Sequence, residues 1–158
     1  MRVHVLGSGA GGGFPQWNCG CRNCAGLRAG TIRAAARTQS AIAVSADNER
    51  WYLANASPDI RQQIESFPSL HPAIGARDTP IQAVLLTNAD VDHVAGLLSL
   101  RESQPLKVYA TATVRGWVLG SNAMFRVLDV MPELSALHHA FRFFLSTTSP
   151  EAYAAGDT

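Results

Sequence analysis

Apolar positions along this chain follow two rhythms. Val84, Leu85 and Leu86 form a continuous apolar run, a polar turn carries Asp90, Asp92 and His93, and apolar spacing resumes at Val94, Leu97, Leu98 and Leu100. A continuous run followed by i, i+3, i+4 spacing predicts a buried strand, a loop and a helix. A short strand is predicted at residues 3–6. Residues 40–45 alternate, residues 46–49 are turn-formers and residues 50–54 return, which predicts a hairpin. Ser57, Pro58 and Asp59 form a helix-start signature with Ser57 as cap, and that helix should run to about residue 66 and stop at Pro68. A punctuated loop over 67–79 leads into the apolar run; a strand at 106–110 and a helix at 112–119 follow. Strands and helices in alternation predict an α/β fold built on a layered sheet. Beyond Pro132 the pattern changes: residues 134–144 read as a helical or irregular apolar stretch, and residues 146–158 as a small, polar, frayed tail.

Composition narrows this picture without redirecting it. A chain of 158 residues with 47% apolar content suits one domain with a real core. No apolar run approaches the roughly 20 residues of a spanning helix, and the N-terminus opens as a strand rather than a signal-peptide core. The expectation is a cytoplasmic protein with no membrane partner. A net charge of +1, from 13 basic and 12 acidic residues, supplies no electrostatic reason for nucleic-acid binding. Small molecules, metals and proteins remain as partner classes.

Two clusters carry candidate chemistry. Asp90, Asp92 and His93 fall where a strand ends and a helix begins, the rim at which groups converge on ligands in layered α/β folds, and their types suit a metal. The structural alternative is that Asp92 caps the helix and His93 is a surface residue of its first turn. Cys19, Cys21 and Cys24 have C-x-C-x-x-C spacing, with Gly20 permitting a tight turn. Three thiols cannot pair off internally, and such compact spacing favours a soft cation, normally zinc with a fourth ligand from elsewhere. Catalytic thiol chemistry is the runner-up, but no cysteine is visibly set apart by a helix N-terminus or basic partner.

Other motifs read as structural. Gly7-x-Gly9-x-x-Gly12 follows a strand as a dinucleotide fingerprint does, yet Phe14-Pro15 and the cysteines stand where a helix should open. The glycines are then read as a sharp turn beside a site. Residues 27–37 form a basic, alanine-rich stretch, weak helix or extended loop, from which Arg37 can meet an anionic substrate. His138 and His139 are adjacent and on a helix would point apart.

Taken together, the motifs resemble a known family. Residues 87–96, Thr-Asn-Ala-Asp-Val-Asp-His-Val-Ala-Gly, resemble the H-x-H-x-D-H signature of the metallo-β-lactamase superfamily, with Asn88 and Asp90 in place of the first two histidines. That departure removes the paired-His site and retains Asp92-His93, which argues against an ordinary dinuclear hydrolase. With residues 6–21, Arg37-Thr38-Gln39-Ser40, residues 55–60 and residues 92–102 included, the chain is similar to the coenzyme PQQ synthesis protein B family. The resemblance covers residues 3 to about 131 and implies the N-terminal half (1–131) of a metallo-β-lactamase-like αββα sandwich, followed by an atypical tail (132–158) in a truncated form.

What the resemblance implies is a role in pyrroloquinoline quinone (PQQ) biosynthesis. Its chemistry would be an Fe(II)- or other divalent-metal-dependent hydroxylation of the tyrosine in a small Glu-Tyr-derived intermediate. Asp90, Asp92 and His93 would hold the active-site metal, and Cys19, Cys21 and Cys24 a structural zinc. With so incomplete a set of ligands, this chain is expected to be weak or inactive. The alternatives are a soluble carrier helping PQQ or its precursor to the periplasm, or a non-enzymatic zinc-stabilised binding module. A half-sandwich would expose an apolar sheet face, so a homodimer or higher oligomer is expected.

Overall fold

A computed structural model of the chain describes residues 1–75, 77–101, 106–121 and 124–125, and the backbone of 141–145. Six strands form one mixed sheet in sequence order: β1 (Arg2–Gly7), β2 (Ala41–Ser45), β3 (Trp51–Ala54), β4 (Ile81–Leu85), β5 (Leu106–Ala110) and β6 (Phe141–Leu145). The first three are antiparallel neighbours; β3 to β6 run parallel. The change follows from the connections. A five-residue turn closes β2 onto β3, whereas helical crossovers separate β3 from β4 and β4 from β5, as parallel pairing requires.

The helices are α1 (Arg22–Arg28), α2 (Ile60–Glu65), α3 (Val91–Val94) and α4 (Ala112–Arg115). Single 3₁₀ turns lie at Pro68–Leu70 and, continuing α3, at Ala95–Leu98; a π turn at Gly116–Ser121 continues α4. One face of the sheet is covered. Ala43, Leu53, Val84 and Val108 stand in register across four strands, and each is essentially inaccessible to solvent. Against them pack Ile60 of α2, Leu70, Val94 and Leu97 after β4, and Val114 and Val118 after β5. Burying each such aliphatic side chain contributes about 1.5–3 kcal/mol, which is why this one face organises the domain. Phe67 extends the layer towards β1: its ring stacks on His4 at 3.8 Å and meets Trp51 edge-on at 5.0 Å.

The other face follows the opposite parity. Val3 and Val5 of β1, Tyr52 of β3, Leu85 of β4 and Tyr109 of β5 are exposed there. Among the described residues the α/β expectation therefore holds, with α2, α3 and α4 packed on the covered face of the sheet.

Local differences from the sequence reading have physical causes. Residues 22–28, read as loop and basic stretch, form α1. The second helix begins at Ile60 rather than at Pro58, because Asp59 is held by Gln39: its Oδ2 accepts from the Gln39 backbone N–H at 2.8 Å and from Nε2 at 3.2 Å. Ser57 stands two positions ahead of the N-cap, yet its Oγ still accepts from the Asp59 N–H, as a cap there would, and it also donates to Gln63 Oε1. Residues 141–145, read within a helical or irregular stretch, pair with β5 as a strand. Residues 126–140, with His138 and His139, and residues 146–158 lie outside the described residues.

Candidate metal centre

The polar turn after β4 is built by its neighbours. Leu86 N–H bonds to the Tyr109 carbonyl at 2.8 Å, carrying the β4 ladder one residue past the strand. Thr87 is then held by Asn55, which follows β3 with φ +67°: Asn55 Oδ1 accepts from the Thr87 N–H and from its Oγ1, both at 3.0 Å. The Asn88 side chain accepts from the Asp90 N–H at 3.0 Å, closing a tight turn that ends at the start of α3. This turn delivers Asp90, Asp92 and His93 to the rim of the sheet, as the pattern predicted.

A second clamp fixes the short helix. The Ala56 N–H bonds to the His93 carbonyl at 2.7 Å, and the Gly96 N–H bonds to the Ala56 carbonyl at 2.8 Å. Gly96 is needed for that approach: a Cβ there would lie 2.3 Å from the Ser57 carbonyl oxygen. The segment 55–57 thus grips both ends of the element that carries His93, a role invisible in its sequence signature. An asparagine at a strand end, tolerant of the left-handed region, was the signal that could have marked it.

Within the turn, one ligand atom from each of Asp90, Asp92 and His93 lies within 4.8 Å of the other two. Asp90 occupies the N-cap position of α3 and makes no side-chain capping bond, so its carboxylate is not consumed by the helix. Asp92 sits in the first turn rather than at the cap, and its Oδ1 lies 2.9 Å from His93 Nδ1. With Nδ1 engaged, Nε2 is the nitrogen left to face a ligand, the arrangement that carboxylates impose on metal-binding imidazoles. Asp92 and His93 are half-buried and Asp90 is exposed. The Gly-rich segment after β1 closes one side: a Cβ on Gly11 would lie 3.4 Å from Asp92 Oδ2. No helix opens behind those glycines, which supports their reading as a turn beside a site.

The three cysteines form a separate cluster, with their sulfur atoms also within 4.8 Å of one another. Cys21 stands at the N-cap of α1 and Cys24 in its first turn. Backbone N–H groups, first that of Cys24, together with the neighbouring thiols bring the Cys21 thiol down to about 7. At Cys24 the Gln16 N–H favours the thiolate, but burial and the two other sulfurs outweigh it and push the thiol up. Arg28 ties the loop together by donating to the carbonyls of Cys19 and Gln16. The sequence showed no cysteine at a helix start; the structure puts Cys21 at one. Three thiols at mutual distances of a few ångströms fit a tetrahedral zinc with one position still to be filled.

Pairing of a strand-end Asp/His turn with this sheet defines the class. The β-lactamase superfamily domain matches residues 50–139, more than half of the chain, and the chain belongs to that superfamily. Over 131 residues it is 61% identical to coenzyme PQQ synthesis protein B of Methylorubrum populi, a match covering 83% of this chain and 42% of that protein. The crystal structure of Zn²⁺-bound PqqB from Methylobacterium extorquens superposes with a TM-score of 0.82 at 52% identity, covering 93% of this chain and 50% of that one. A diphosphatase of the PhnP family shares the fold, with a TM-score of 0.62 at 21% identity and coverage of 93% and 50%. The chain thus spans about half the length of the relatives it matches. Among the described residues no helix is long and apolar enough to cross a membrane.

Proposed function

We propose that this chain serves PQQ biosynthesis, as the part of an iron-dependent oxygenase that presents Asp90, Asp92 and His93 to the active-site metal. The supporting observation is that the turn after β4, inside the matched superfamily domain, gathers two carboxylates and one imidazole at a sheet rim, with the Asp90 side chain unused by its helix. Mixed carboxylate and imidazole donors suit Fe(II) or a comparable divalent ion. Iron bound there would supply the redox chemistry with oxygen that hydroxylation of a tyrosine ring needs. The chain's own contribution is positional: Asn55 and Ala56 set the turn, Gly11 borders Asp92, and Asp92 orients His93. The substrate of this reading is a small Glu-Tyr-derived intermediate. Cys19, Cys21 and Cys24 hold a structural zinc, a reading supported by the Zn²⁺-bound relative and by the lowered Cys21 thiol.

Three donors leave the shell open, so the isolated chain turns over poorly. The test is oxygen consumption and product mass with Fe(II), oxygen and the Glu-Tyr-derived substrate, beside the M. extorquens protein. Slow turnover abolished by His93→Ala supports the reading; turnover equal to that of the longer protein contradicts the incomplete shell. A second reading, a zinc-stabilised binding module or soluble carrier without catalysis, draws on Asn88 and Asp90 standing where the superfamily signature has histidines. It predicts substrate binding by calorimetry with no oxygen consumed.

A further inference from the structure

We infer that a small polar cavity beside the metal triad is a subsite for the charged end of the substrate, an α-amino acid whose ammonium and carboxylate are both free. The cavity has a volume of about 190 Å³ and is walled by Gly12, Gly13 and Phe14 of the loop after β1, by Arg37, and by Asp59 and Gln62 at the start of α2. Pockets that enclose a whole small ligand run to roughly 300–1,000 Å³, so this one takes one end of a molecule.

Arg37 and Asp59 are the charged residues among those lining it, and both are held in place without being spent. Arg37 is pinned through its backbone: its N–H donates to the Phe14 carbonyl at 2.7 Å, and its carbonyl accepts from the Phe14 N–H at 2.8 Å. Its exposed guanidinium makes no hydrogen bond or ion pair among the described residues. Asp59 Oδ2 is held by the Gln39 N–H at 2.8 Å and by Gln39 Nε2 at 3.2 Å, while Oδ1 accepts no hydrogen bond among the described residues. The two charges line one space and form no ion pair with each other. A purely anionic ligand would be repelled by Asp59 and a purely cationic one by Arg37; a zwitterion satisfies both.

The glycine ribbon joins this cavity to the metal triad. Gly13 has φ +71°, and a Cβ there would lie 3.0 Å from the Arg37 carbonyl oxygen, so a side chain would be strained and would crowd Arg37. Gly11, one residue before the cavity wall begins, borders Asp92 Oδ2. Consecutive Cα atoms lie about 3.8 Å apart. The cavity and the triad are thus neighbours along one ribbon, which suits a substrate anchored at its amino-acid end and reacting at its side chain. Anchoring by groups already fixed in the free protein also lowers the ordering cost of binding. The inference deepens the oxygenase reading and rests on it for the ring presented to the metal; the cavity itself is argued from Arg37 and Asp59.

The test is an amide-resolved NMR titration of the zinc-loaded chain, without oxygen, using L-tyrosine, tyramine, which lacks the carboxylate, and desaminotyrosine, which lacks the ammonium. L-Tyrosine should shift the amides of Gly12, Gly13, Arg37 and Thr38 and bind about 10-fold more tightly than either analogue. Arg37→Gln should weaken L-tyrosine and desaminotyrosine by about 10-fold and leave tyramine unchanged, with Arg37→Lys in between. Circular dichroism checks each fold, and the comparison of ligands on the wild type decides the matter without any variant. Equal affinity for the three ligands, a loss in Arg37→Gln shared by tyramine, shifts confined to residues 90–93, or no binding of L-tyrosine at millimolar concentration overturns the inference. Selective binding with no oxygen consumed once Fe(II) and oxygen are supplied keeps the subsite and overturns the oxygenase reading; oxygen consumption indifferent to Arg37→Gln does the reverse.

Discussion

Asn55 Oδ1 accepts two hydrogen bonds from Thr87, one from its backbone N–H and one from its hydroxyl, each at 3.0 Å. These two residues sit at the ends of adjacent parallel strands, 32 positions apart in sequence. Their contact sets where the chain leaves β4 and therefore where Asp90 begins. Asn55 itself is buried and has φ +67°, a conformation that asparagine and glycine tolerate best.

Substitutions at Asn55 separate the carboxamide from the backbone. Asn55→Gly keeps the backbone conformation and loses the acceptor, and should cost about 1–2 kcal/mol. Asn55→Ala adds left-handed strain and should cost about 1 kcal/mol more. Asn55→Asp retains both features and should lie nearest the wild type. Thermal or urea unfolding checks this order, and Ala equal to or better than Gly would refute it.

At Gly96 the constraint is steric. A methyl group there meets the Ser57 carbonyl at 2.3 Å and the Ala56 carbonyl oxygen at 2.8 Å, both backbone atoms that cannot swing away. Gly96→Ala should destabilise the chain by about 1–3 kcal/mol, the range of overpacking in a tight core. Because the shift falls on the segment that holds His93, metal affinity at Asp92-His93 should fall while that of the cysteines stays. Hydrogen exchange at the Ala56 and Gly96 amides, the two donors of the clamp, would show the opening directly; unchanged exchange would count against the clamp.

The β2–β3 turn is expected to loosen in acid. Asp47 accepts from the Arg50 backbone N–H at 2.9 Å, from Arg50 Nε at 2.8 Å and from the Glu49 N–H at 3.0 Å, and these bonds hold its carboxyl far below the usual carboxylate range. A folded-state value below the unfolded one means the contribution is complete above about pH 4 and fades as pH falls towards the folded value. Exposure limits its size. The protection factors of the Glu49 and Arg50 amides, taken relative to intrinsic exchange at each pH, should fall in acid in the wild type, and Asp47→Ala should remove that dependence. Equal pH dependence in the two proteins would contradict it.

Much of this architecture was legible from periodicity. The apolar run, polar turn and resumed spacing around Asp90 placed β4, the loop and α3, and the alternation around Ala46–Glu49 placed the hairpin. What escaped notice depends on partners distant in sequence. Helix α1 is only seven residues long, with Gly26 packed against Ile32, and its core side is a thiol rather than an aliphatic stripe. Strand β6 lacks alternation and acquires its identity from pairing with β5. Asp59 carries an ordinary helix-start signature, yet its position is dictated by Gln39, 20 residues earlier. Gln63 looks like a surface helix residue and is fully buried, donating to Thr38 Oγ1 and the Gln39 carbonyl and accepting from Ser57. Of the candidate ligands, residue types and spacing identified both triplets; the clamp of Asn55, Ala56 and Gly96 belongs to the tertiary structure alone.

The central claim is that two chemically distinct metal sites coexist, thiolates holding zinc and Asp90, Asp92 and His93 holding a redox-active ion. Element-resolved metal analysis of the purified wild type, Cys21→Ser and His93→Ala, each reconstituted with zinc and Fe(II), tests it most directly. The account predicts that Cys21→Ser loses zinc and keeps iron, while His93→Ala keeps zinc and loses iron. Identical losses in both variants, or no metal retained at Asp90, Asp92 and His93 in the wild type, would contradict it.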